Sequence, residues 1–66
     1  MHLQVNGQTT EFPAGLTARG LLERMDLAGR RVALEVNGEI VPRSGHAAHE
    51  LKDGDKVEII HAVGGG

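Results

Sequence analysis

The sequence predicts an α+β domain in which one amphipathic helix packs on a mixed sheet of four to five strands. Three observations carry this. Apolar and polar residues alternate in separate short runs, Leu3/Val5, Val32/Leu34/Val36 and Val57/Ile59, the period of half-buried strands. Two Asn-Gly pairs, Asn6-Gly7 and Asn37-Gly38, each follow such a run and mark tight hairpins, because both turn positions accept positive φ. Between the hairpins, Ala18, Leu21, Leu22 and Met25 recur at i, i+3, i+4 and i+7, one face of a helix.

Each element follows in order. Met1–Val5 reads as the first strand. Thr9–Phe12, β-branched and aromatic, returns after Asn6-Gly7 as the second. Pro13-Ala14-Gly15 breaks it. Thr17 suits an N-cap, and Leu16 and Leu21 are spaced for a hydrophobic staple. Gly20 lowers helix propensity by about 1 kcal/mol against Ala, which suggests close packing on a strand, and Gly29 is the expected helix stop. Val32–Val36 is the third strand, and Glu39-Ile40-Val41 returns from Asn37-Gly38 until Pro42 ends it or marks an edge. Arg43–Glu50 has no clear period and has room for one helical turn. Asp53-Gly54-Asp55 is a turn, and the last strand runs from Val57 through Val63. There is no internal repeat and no linker before residue 64. The hairpin, crossover helix and later strands match the β-grasp arrangement. The expected core is Leu3, Val5, Phe12, Leu21, Leu22, Met25, Val32, Leu34, Val36, Ile40, Leu51, Val57 and Ile59.

Size and charge restrict function. Sixty-six residues bury only about 60% of the unfolded surface, so the core is thin and a full catalytic pocket is hard to house. With no cysteine, disulfides, thiolate metal sites and thiol nucleophiles are excluded. Seven basic against nine acidic residues give a net charge of −2, and Phe12 is the one aromatic. Nucleic-acid binders depend on a basic excess and stacking aromatics, so no nucleic-acid partner is expected. No apolar run approaches the roughly 18 residues of a membrane span. A cytoplasmic protein, monomeric when free, is the expectation.

Candidate chemistry concentrates at the end of the chain. Residues 1–63 form the expected β-grasp domain and 64–66 a flexible glycine tail. Two glycines at a chosen position arise by chance in about half a percent of chains, and here Gly64, Gly65 and Gly66 follow Val63 with no polar linker. Glycine lacks Cβ and is conformationally free, so such a tail can thread a narrow channel. Its chemical handle is the Gly66 carboxylate, inert to acyl chemistry until activated by a separate ATP-using enzyme. Exposed apolar residues beside the tail, Ile60 and Val63, are the candidate docking contacts. Elsewhere the residues read as structure. Asp53-Gly54-Asp55 lacks the remaining ligands of a calcium loop. His46 and His49 share one helical turn without a third ligand. Arg30, Arg31 and Arg43 form a modest basic patch that suits a solvated face or a protein contact. No residue is assigned a catalytic or metal-binding role.

The whole chain resembles the ThiS family, the sulfur carrier proteins of thiamine biosynthesis. The resemblance lies in Leu3-Gln4-Val5-Asn6-Gly7, in Thr17 with Leu21-Leu22, and in the run from Val32 to Arg43 containing Asn37-Gly38-Glu39-Ile40-Val41-Pro42-Arg43. It continues in Leu51–Ile60 with its Asp-Gly-Asp turn and in the Gly-Gly end. The chain departs from the family in lacking an aromatic near His46 and in its third glycine, Gly64. The resemblance implies a ubiquitin-like β-grasp fold. It also implies an adenylating enzyme of the ubiquitin-activating type, which uses ATP and magnesium to convert the Gly66 carboxylate to an acyl-adenylate. Sulfur from a cysteine desulfurase persulfide then gives a thiocarboxylate, which thiazole synthase consumes. The carrier itself binds no cofactor and is not an enzyme. Three alternatives share the pattern. Molybdopterin synthase small subunits have the same end but are usually longer. TGS domains of RNA-associated proteins share the Phe12-Pro13-Ala14-Gly15-Leu16-Thr17 run. A ubiquitin-like modifier would pass the activated Gly66 to a lysine.

Overall fold

The computed structural model describes residues 1–61. Its elements are β1 (His2–Val5), β2 (Gln8–Glu11), α1 (Ala18–Arg24), β3 (Val32–Val36), β4 (Glu39–Val41), a 3-10 turn at Arg43–Gly45 and β5 (Lys56–His61). The five strands form one mixed sheet in the order β2-β1-β5-β3-β4. β5 is central, parallel to β1 and antiparallel to β3. The β-grasp arrangement expected from the sequence is therefore the one observed.

Both hairpins turn on Asn-Gly with positive φ at both residues: Asn6 +49° and Gly7 +84°, Asn37 +53° and Gly38 +86°. That is the turn whose twist suits paired strands. Helix α1 starts where expected. The Thr17 Oγ1 accepts from the Gly20 amide at 3.1 Å, while His49 O and His46 O take the Ala18 and Arg19 amides at 2.8 and 3.1 Å. The first-turn donors are thus satisfied by the segment that follows β4.

The helix ends earlier than expected, at Arg24 rather than near Gly29. Asp26 takes the left-handed conformation at φ +59°. The Leu27 amide reaches back to Leu22 O at 2.8 Å and the Asp26 amide to Glu23 O at 3.1 Å, the paired bonds of a Schellman stop. The i+7 position of the apolar stripe therefore falls on the cap, and Met25 is 37% exposed. Leu27 packs against the core in its place. Gly20 is also explained differently than expected. A Cβ there would meet Leu16 Cδ1 at 2.8 Å and Thr17 Oγ1 at 3.4 Å, not a strand.

The core lies between α1 and one face of the sheet: Leu3, Val5, Ala18, Leu21, Leu22, Leu34, Val36, Val41, Leu51, Val57 and Ile59. Four expected members are outside it. Phe12 and Val32 are half-buried, Met25 is displaced by the helix stop, and Ile40 is 59% exposed. Ile40 is corrected by register. The two-residue turn pairs Val36 with Glu39 and Leu34 with Val41, so Ile40 stands opposite Glu35 on the uncovered face. Val41 and Ala18 are the buried residues the expectation lacked.

Candidate functional site

The site is built around the end of β5. At its start the strand is held from both sides. The Lys56 amide donates to Asn37 Oδ1 at 2.9 Å, and the Asn37 Nδ2 donates to Asp55 Oδ1 at 2.9 Å. Farther along, the Ile59 amide donates to Asn6 Oδ1 at 2.7 Å, a side chain standing in where β1 has run out. Beyond it Ile60 and His61 pair with Ala33 and Val32 of β3 alone. The asparagines of both turns thus fasten the central strand as well as forming the bends.

The face of the sheet away from α1 carries the candidate docking residue Ile60, 48% exposed. Directly opposed residues share a face, so Ile60 stands beside Ala33, and Ile40 beside Glu35, which in turn opposes Glu58. Ile60, Glu35, Glu58 and Lys56 border a shallow depression of about 280 Å³. The result is an apolar and acidic surface beside the departing chain. Ile40, a core residue by sequence pattern, belongs to it instead. Val63, the other docking candidate, lies outside the described residues, as do Gly64, Gly65 and the proposed reactive residue Gly66. The domain boundary at residue 63 falls there too.

The remaining candidates resolve into structure. His46 is buried, and its Nε2–H donates to the Val41 carbonyl at 2.9 Å. Asp53 Oδ1 accepts from the His2 amide at 2.6 Å and Asp55 Oδ2 from the Lys52 amide at 2.9 Å, so both carboxylates of the Asp-Gly-Asp turn fix backbone. Among the described residues, no group of three His, Asp or Glu is placed to hold a metal ion. No helix among them is long and apolar enough to cross a membrane.

A single helix on a sheet of order 2-1-5-3-4, with the last strand in the middle, defines a ubiquitin-like β-grasp protein. The crystal structure of a thiamine biosynthesis protein (ThiS) from Geobacter metallireducens superposes with a TM-score of 0.86 at 36% identity, over 100% of both chains. The ThiS family model matches residues 3–66, and the chain belongs to that family. The sulfur carrier protein ThiS of Escherichia coli is 36% identical over 100% of both chains. A thiazole synthase of Paramagnetospirillum magneticum is 44% identical over all of this chain, which spans only 20% of that relative's length.

Proposed function

We propose that the chain is a sulfur carrier of thiamine biosynthesis that bears its sulfur as a thiocarboxylate on Gly66. The observation that carries this reading is the end-to-end match to a sulfur carrier protein, on a body whose last strand leads toward the glycines. Three steps load the sulfur. A carboxylate oxygen of Gly66 attacks the α-phosphorus of ATP on an adenylating enzyme, and pyrophosphate leaves. The terminal sulfur of a persulfide, generated by a cysteine desulfurase, attacks the acyl carbon and displaces AMP. A thiol then reduces the S–S bond and leaves the thiocarboxylate. Magnesium and ATP belong to the adenylating enzyme, and the carrier contributes the handle, the arm and a docking surface.

Thiazole synthase is the proposed acceptor. The thiazole synthase relative contains a stretch similar to this whole chain, which supports the two working in contact. Ile60, Ile40 and Val63 are the proposed docking residues. The uncovered pair Ile60 and Ile40 supports this, since desolvated apolar residues near an interface centre contribute most to affinity.

Intact-mass analysis tests the reading. Incubation with the adenylating enzyme, ATP, a cysteine desulfurase and cysteine should raise the mass by the difference between one sulfur and one oxygen, located on Gly66. Deleting Gly66 or appending residues after it should abolish the gain. Equal labelling of the extended form would overturn the proposal, and isopeptide adducts on lysine would favour a protein modifier instead.

A further inference from the structure

We infer that a cationic cleft on the helix side of the chain exit docks an acidic segment of the adenylating enzyme that takes in the tail. The cleft, of about 390 Å³, is bordered by Arg19, Arg30, Arg43, Ser44, His46 and Val32. Its lining contains no carboxylate, although the chain as a whole is acidic. Arg19 shares Glu23 at 3.5 Å along the helix. Arg43 Nη2 donates to the Arg30 carbonyl at 2.9 Å, which joins the two loops that form the walls. Among the described residues, neither Arg30 nor Arg43 has a carboxylate partner. All three guanidinium-bearing residues are exposed, the setting of an electrostatic contact at a protein rim rather than of an enclosed anion site.

Position selects the occupant. Val32 in the cleft lies directly across from His61, and Gly66 is the fifth residue after His61, at most about 18 Å of extended chain away. A standard interface covers about 800 Å² on each partner. A protein that takes Gly66 into its active site therefore covers ground around His61, and the cleft falls within that ground. The opposite side of the exit carries Glu35 and Glu58 with Lys56 beside them, a net negative charge. The exit is thus cationic on one side and acidic on the other. A partner with the complementary pair of charged patches is fixed in its rotation about the tail, which neither charge alone achieves.

This inference rests on the carrier reading, and the test separates the two. Sulfur transfer onto wild-type carrier is measured with the adenylating enzyme against carrier concentration, at low and high salt. Arg30→Glu should raise the KM for the carrier about tenfold at low salt with kcat unchanged, and the difference should shrink as salt screens it. Arg30→Gln should give a smaller rise in the same direction. Arg24→Glu, which makes the same net charge change away from the cleft, should stay within about twofold. Melting temperatures of all variants check the fold. If Arg30→Glu and Arg24→Glu behave alike, or if the KM for ATP moves instead of that for the carrier, the inference is wrong. If wild-type carrier gains no sulfur, the carrier reading itself fails and this inference fails with it.

Discussion

The two ends of β5 are built differently. At the start, the strand is bonded on both flanks. Asn37 N donates to Lys56 O at 2.7 Å, the Lys56 amide returns to Asn37 Oδ1, and Gln4 N donates to Asp55 O at 3.0 Å on the other flank. At the finish, Asn6 Oδ1 makes the last bond from the first hairpin, and Ile60 and His61 have β3 on one side only. Side chains follow suit, since Val57 is fully buried while Ile60 is half exposed. The folded body spends its packing and hydrogen bonds where the strand begins and leaves the departing end one-sided. That is the construction the proposed carrier role calls for.

The largest test of this contrast is a pair of truncations on one strand. Val57→Ala should cost about 2 kcal/mol, the lost transfer energy plus a cavity that the closely packed interior cannot fill. Ile60→Ala should change stability by less than about 0.5 kcal/mol while raising the KM for the carrier in sulfur transfer. Urea denaturation measures the first and steady-state kinetics the second. Similar stability losses at both positions would erase the proposed difference between the ends.

The asparagines give a finer test, because they are used differently. Asn37 both donates and accepts, and its Nδ2 faces Asp55 Oδ1. Asn6 makes its bond to β5 as an acceptor, from the Ile59 amide. Aspartate keeps the acceptor and removes the donor. Asn37→Asp should therefore set two carboxylates against each other and cost on the order of 1 kcal/mol after solvent screening, whereas Asn6→Asp should be close to neutral. Amide hydrogen exchange locates the effect: protection should fall at Lys56 in the first variant and persist at Ile59 in the second. Equal losses would mean that the two asparagines act only through their turns.

Most of this architecture was legible in the residues. The Asn-Gly pairs, the strand alternation and Thr17 report local physics that the fold obeys. The errors arose where a longer-range rule overrode a local one. Ile40 looked like core because it is apolar and lies in a strand, yet a two-residue turn after Val36 fixes parity and sends it outward. That could have been read by counting across the turn. Met25 matched the helical period, but the period holds only while the helix lasts, and an aspartate in a position that favours glycine gives no obvious stop signal. The second role of Asn6 and Asn37, and the meeting of Arg19 with Arg30 and Arg43, depend on which segments the sheet brings together. No local pattern reports those.

The helix stop supplies the smallest effect and a control for the rest. Asp26 holds φ +59° at the helix C-terminus. A side chain in the left-handed region is strained relative to glycine, and a negative charge there opposes the helix dipole. Asp26→Gly relieves both while adding some unfolded-state entropy, for a net gain of about 0.5 kcal/mol. Asp26→Asn, which removes the charge but keeps a side chain, should recover only part of it. For a domain of this size, 1 kcal/mol corresponds to a shift of roughly 4–8 °C, so a gain of about half that is measurable by thermal melting. Because α1 packs on the same core but, among the described residues, makes no hydrogen bond to either asparagine, the gain should raise global stability while the ratio of exchange rates at Lys56 and Ile59 stays fixed. A change in that ratio would show that the finish of β5 is coupled to the helix, and the one-sided exit would then be a property of the whole body rather than of the strand's own bonds.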